Sequence, residues 1–147
     1  MNFTTLFCGK YFTAFVDNED KLMTCGINKF DSDQNNENII IPKSVSNFIN
    51  IKMISGGYLC LSALDFDGFV FQFNAASLSE PFLSPRKFKL PPVEYISSGV
   101  KSTTCLTFDK HLYTVGESVY GQLGHGKDCT KLSEPKKLEN LNEVILF

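Results

Sequence analysis

The sequence predicts an all-β fold, a partial and open β-propeller of about three blades of short antiparallel strands, and three observations carry that expectation. Phe7-Cys8-Gly9, Ile54-Ser55-Gly56-Gly57 and Ile96-Ser97-Ser98-Gly99 align on Gly9, Gly57 and Gly99, at spacings of 48 and 42 residues. Each copy continues in register, without a gap, to a further apolar run that ends on Gly26, Asn74 or Gly116. The runs are strand-length, rich in Phe, Val, Ile, Leu and Thr, and lack a 3.6-residue period. Repetition of such runs at about 40 to 50 residues matches a propeller blade and excludes helical repeats.

Each copy opens with a strand that ends at its register glycine, and a second strand follows within 11–16, 58–64 or 101–106. The apolar stretch from Leu59 to Leu64 has no polar face, so its sheet is expected to be covered on both sides. A polar turn comes next. Asp67-Gly68 carries the strongest short hairpin signal, and Asp20-Lys21 and Lys110-His111 hold the same place with less favourable turn chemistry. Gly26, Asn74 and Gly116 close the third strands, Asn being the commonest substitute for Gly in left-handed backbone. Fourth strands are expected around Ile39-Ile40-Ile41, Lys87-Phe88-Lys89 and Lys136-Lys137-Leu138, each near a proline that an edge strand tolerates. One repeat domain thus spans 1–147, with copies at about 3–46, 47–91 and 92–142 and the start of a fourth at 143–147.

The 147 residues are 43% hydrophobic, enough for a core, and 14 basic against 16 acidic residues give a net charge of −2. No basic stripe is present to neutralise a phosphate backbone, so autonomous nucleic-acid binding is not expected. No run reaches the roughly 20 apolar residues of a spanning helix, and Met1 to Leu6 lacks signal-peptide blocks. The expectation is an intracellular protein, cytoplasmic or nuclear, without membrane contact, in which Asn2-Phe3-Thr4 is not glycosylated. The five cysteines, Cys8, Cys25, Cys60, Cys105 and Cys129, form no CxxC pair and read as free thiols.

Motifs that could carry chemistry fall short of it. Gly121 to Lys127 fills seven positions of a phosphate-binding loop, but Asp128 replaces the hydroxyl that binds magnesium, and Pro135 cuts short the helix the motif needs. Asp31-Ser32-Asp33-Gln34-Asn35 opens like a calcium loop, but Asn36 replaces the turn glycine and Pro42 the closing Glu, so a solvated linker is expected. His111 and His125 have no nucleophile beside them, and Asp65 and Asp67 flank a turn. No catalytic residue, cofactor or metal ligand is assigned.

The third copy, with Leu112-Tyr113-Thr114-Val115-Gly116, Tyr120-Gly121-Gln122-Leu123-Gly124-His125-Gly126 and Glu134-Pro135-Lys136-Lys137-Leu138, is similar throughout to the regulator of chromosome condensation repeat. The likeness extends more weakly over 3–147. The position three after the register glycine, commonly His in that family, is here Phe12, Cys60 or Ser102, and the first two copies lack the Gly-Gln-Leu-Gly loop. The resemblance implies a seven-bladed parent propeller, so a ring is not expected to close here. Open blade edges then favour self-association. Because propeller loops gather on two rims of a rigid scaffold, the leading expectation is a noncatalytic protein-interaction module, with Tyr120, Gln122, His125, Lys127 and Asp128 as the candidate interaction loop. The resemblance also implies two alternatives, a nucleotide-exchange regulator of a small GTPase of the Ran type and a recruiting domain of a larger enzyme such as a ubiquitin ligase.

Overall fold

The computed structural model describes residues 5–26, 39–58, 60–74, 85–139 and 141. They form three antiparallel sheets of four strands each, every sheet ordered as its strands follow in the chain, and among them there is no helix. Blade 1 holds β1 (Leu6–Cys8), β2 (Phe12–Val16), β3 (Leu22–Gly26) and β4 (Ile39–Ser44). Blade 2 holds β5 (Ile51–Gly56), β6 (Cys60–Asp65), β7 (Val70–Asn74) and β8 (Arg86–Lys87). Blade 3 holds β9 (Val93–Ser98), β10 (Ser102–Thr107), β11 (Leu112–Glu117) and β12 (Lys131–Lys137). The fold is an open propeller segment. The calcium-like segment 31–35, the acceptor pattern at 2–4 and residues 143–147 lie outside the described residues.

The register glycines build the same turn three times. Gly9 N–H donates to Phe12 O at 2.8 Å, Gly57 N–H to Cys60 O at 3.0 Å and Gly99 N–H to Ser102 O at 2.8 Å. The following hairpins also share one design, in which the first turn residue accepts a backbone N–H through its side chain. Asp17 Oδ1 accepts from Lys21 at 2.9 Å, Asp65 Oδ1 from Phe69 at 2.7 Å and Thr107 Oγ1 from His111 at 3.2 Å. The left-handed site of these turns is Asp20, Gly68 or Lys110. Sequence places a glycine there only in blade 2, which is why that turn alone stands out in the sequence.

Burial shows which blade lies in the middle. All six residues of β6 are buried, whereas β2 alternates, burying Phe12, Ala14 and Val16. Two apolar clusters account for this. Phe12, Ala14, Val16 and Leu22 of blade 1 meet Ile54, Leu61, Ala63 and Phe73 of blade 2, and Leu64, Val70 and Phe88 of blade 2 meet Ile96, Cys105 and Val115 of blade 3.

The seams differ in chemistry at equivalent positions. Between blades 2 and 3, Ser98 Oγ donates to Ser62 Oγ at 3.1 Å, Thr103 Oγ1 lies 3.3 Å from Ser62 Oγ and 3.0 Å from Ser98 Oγ, and Gln72 Nε2 donates to Thr103 at 3.0 Å. Three hydroxyls that each donate once and accept once close a ring, so the buried polar atoms are satisfied. Ser98 N–H also donates to Ser55 Oγ at 2.8 Å. Between blades 1 and 2 the same register positions hold Phe7, Ala14, Gly56 and Leu61, and a methyl on Gly56 would stand 2.7 Å from the Phe7 ring. Thr103→Val is expected to cost about 1 to 3 kcal/mol, because it strips a partner from buried Ser62 and from half-buried Ser98 and Gln72. Urea unfolding midpoints check this.

All five cysteines are free. Cys60 donates toward Gly99 O at 3.6 Å across the second seam, and burial raises its thiol pKa. Burial pushes the Cys105 thiol up to about 12. Native alkylation is therefore expected at exposed Cys8 first, with Cys60 and Cys105 protected until unfolding, as peptide mass mapping would read. A thiol held neutral in the fold but ionising near 9 in the unfolded chain favours the fold fully below pH 9. Stability is expected to fall as the pH rises from 9 toward 12.

Candidate functional site: the rim of the β1–β2 turns

Strand direction places the β1–β2, β5–β6 and β9–β10 turns on the same rim as the C-terminal ends of β3, β7 and β11. Direct contact shows this in blade 3, where Gly116 pairs opposite Ser102 and Glu117 N–H donates to Lys101 O at 2.9 Å. The Lys101 ammonium sits 2.7 Å from Glu117 Oε2, and this bond, with the charge of Lys101, holds the Glu117 carboxyl below its ordinary range. In the first two blades the turns carry Lys10, Tyr11 and Tyr58. The Lys10 ammonium lies 4.9 Å from the Tyr11 ring centroid and 5.0 Å from that of Tyr58, and the two rings meet edge-on at 5.9 Å. Hydrogen bonding to Tyr11 raises the Lys10 pKa, and the same bond lowers that of Tyr11.

The segment 118–130 leaves β11 and returns to β12, pinned from below. Ser118 N–H donates to Thr130 O at 2.7 Å, and Ser118 Oγ accepts from Leu123 N–H at 3.2 Å. Thr114 Oγ1, on β11, donates to Leu123 O at 2.8 Å and lies 3.1 Å from His125 Nε2. Leu123 is buried, and Gly121, Gly124 and Gly126 take positive φ, so the chain folds back over the sheet. Leu106, on the same face of blade 3 as Thr114, is buried too.

Of the residues singled out in the sequence, Tyr120, Gln122, Lys127 and Asp128 are exposed, and Gln122 Oε1 accepts from Tyr120 N–H at 2.8 Å. His125 is half-buried, because its ring turns in to Thr114. Gly9, Gly57 and Gly99 stand in the rim turns. Gly26 and Gly116, with φ of 106° and 118°, stand beside register shifts at the last residue of β3 and the penultimate residue of β11, and Asn74 pairs opposite Cys60 as Gly116 does opposite Ser102. Sequence reasoning missed the anchors Thr114, Ser118 and Leu123 and the exposed Val119. An apolar residue between two glycines, as at Leu123, is the signal that could have found the anchor. A strand, β12, follows the glycine loop where a phosphate-binding loop requires a helix. Among the described residues no group of His, Cys, Asp and Glu could hold a metal, and no helix is long and apolar enough to cross a membrane.

Residues 109–147 match the family model of the regulator of chromosome condensation (RCC1) repeat. The ultraviolet-B receptor UVR8 of Arabidopsis thaliana is 29% identical over 122 residues, which make up 75% of this chain and 28% of the receptor. In the crystal structure of Kap60 bound to yeast RCC1 (Prp20), the matched chain superposes with a TM-score of 0.81 at 23% identity, over 97% of this chain and 36% of that one. Prp20p from Saccharomyces cerevisiae, also studied for its binding to Gsp1p and histones, gives a TM-score of 0.76 at 15% identity, over 92% of this chain and 38% of that one. The chain thus spans only about a third of the length of these proteins, and the structural likenesses carry the fold. The third blade thus matches the regulator of chromosome condensation repeat, and all three sheets share the propeller fold of these solved structures.

Proposed function

We propose that the chain is a noncatalytic docking module that holds a protein partner on the rim carrying the β1–β2 turns and the 118–130 loop. The observation behind this is that Val119 and Tyr120, 72% and 89% exposed, project from a loop pinned by buried Leu123, Ser118 and Thr114. A fixed loop presenting apolar side chains to water suits recognition, since its backbone is already ordered before binding. A photo-crosslinking amino acid at position 120 is expected to capture one partner protein that the same group at position 97 does not. Equal or no capture from the two positions would remove the proposal. Free thiols, one of them exposed, support work in the cytoplasm or nucleus.

Exchange-factor action on a small GTPase is the alternative that the likeness to Prp20p favours, and it predicts faster nucleotide release when the chain is added. A recruiting role within a larger enzyme would use the same rim.

Self-association is also proposed, through one face only. Leu6, Phe15 and Met23 of blade 1 occupy the positions of Ile54, Ala63 and Phe71 in blade 2 and of Ile96, Cys105 and Tyr113 in blade 3. Those positions pack against the preceding blade in blades 2 and 3, where Ile54 is 5% and Ile96 1% exposed, yet Leu6 is 67% exposed. The opposite end, at Leu106 and Leu123, is buried.

A further inference from the structure

We infer that the rim opposite the proposed docking rim is a second interaction surface, which takes an arginine-bearing peptide segment through two aromatic-acid doublets, Phe66-Asp67 and Phe108-Asp109. The doublets are equivalent by register. Each occupies the tip of the hairpin turn of its blade, and each is held by the same backbone bond, Phe66 N–H to Asn50 O and Phe108 N–H to Pro92 O, both 3.1 Å. Both rings stay in water, 56% and 53% exposed, at positions where an ordinary turn carries polar side chains. Asp67 and Asp109 are exposed and enter no ion pair among the described residues.

An aromatic face beside an unpaired carboxylate is suited to a guanidinium, which stacks on the ring and bonds the carboxylate in the same pose. One of these rings already faces a cation, since the Lys52 ammonium lies 5.7 Å from the Phe108 ring centroid. Beside the other tip it is Phe69, outside the doublet, whose ring centroid lies 3.1 Å from the Lys87 ammonium. Lys110, next to Asp109 in the chain, is engaged elsewhere, since it pairs with Glu94. Blade 1 lacks the doublet, because Asn18 stands where Phe66 and Phe108 do and Glu19 is bonded to Lys21. The surface therefore has two tips, on blades 2 and 3. Its partner is a segment with arginines spaced to reach both.

The test is titration of the isotope-labelled chain with a nonaarginine peptide, followed by amide NMR at about physiological salt, with nonalysine and nonaglutamate peptides as comparisons. Saturable shifts are expected at 65–69 and 107–111, with nonaarginine binding more tightly than nonalysine and nonaglutamate not at all. The double variant Phe66→Ala/Phe108→Ala is expected to weaken nonaarginine binding by roughly 5- to 30-fold, and Asp67→Asn/Asp109→Asn to weaken it while flattening its salt dependence. These side chains are exposed, so an unchanged amide spectrum elsewhere shows that the variants fold. Tyr120→Ala, on the other rim, leaves the titration as it was. Equal affinity for nonalysine, shifts confined to other residues, or an unaltered affinity in Phe66→Ala/Phe108→Ala would each overturn the assignment.

Discussion

Gly57→Ala is expected to destabilise the chain by about 3 kcal/mol, while Gly99→Ala, at the equivalent turn of the next blade, stays within about 1 kcal/mol of the parent. The difference comes from what lies over each glycine. A methyl on Gly57 would stand 2.0 Å from Gly99 O, 2.7 Å from Gly99 C and 2.9 Å from Val100 Cα, all of them backbone of blade 3. Backbone cannot swing aside as a side chain can, so blades 2 and 3 must separate and strain the hydroxyl ring between them. On Gly99 the nearest atom would be Ser102 Oγ at 3.4 Å. Urea midpoints of the two variants, measured side by side, check the contrast, and equal losses would show that the close approach of the two turns is not what requires glycine.

Gly116→Ala is expected to cost about 3 kcal/mol and to disturb the candidate rim as well. Its φ of 118° is one that L side chains rarely adopt, and an added methyl would lie 2.1 Å from Lys101 O and 2.8 Å from Ser102 Cα. Relief of that clash moves the turn that receives Glu117 N–H, and with it the start of the 118–130 loop. Amide spectra of the variant are therefore expected to shift at 100–102 and 117–125 along with the loss of stability. A loss of stability with an unchanged loop would separate the strand end from the rim it positions.

The repeat was legible because its period rests on local features. Glycine turns and apolar runs fall at fixed offsets, and the unbroken apolar stretch of β6 marks a sheet covered on both faces. Fourth strands were legible only roughly. β4 is exposed at every residue after Ile39, β8 has two residues, and β12 begins at Lys131, well before the Lys136-Lys137 run in which it was sought. An edge strand facing water carries no alternation to read. The seams were invisible for another reason. Ser62 and Thr103 are 41 residues apart, and nothing local in either marks it as half of a buried pair. Within the candidate loop, the glycines signalled a special backbone, but only the fold shows that His125 turns inward to Thr114 while Tyr120 turns out. The exposure of Leu6 likewise depends on which blade has a neighbour, since its equivalents Ile54 and Ile96 are just as apolar and buried.

Three unequal blades make one folded unit, in which Leu6 of blade 1 is exposed and Leu106 and Leu123 of blade 3 are buried. Light scattering across a concentration series, on the parent chain and on Leu6→Glu/Phe15→Glu, reads whether the blade 1 face is open. The molar mass is expected to climb above that of one chain with concentration and to return to one chain in the double variant, whose substitutions place charge on the open face. A parent that remains at the mass of one chain throughout, or a double variant that associates as the parent does, would contradict an open blade 1 face.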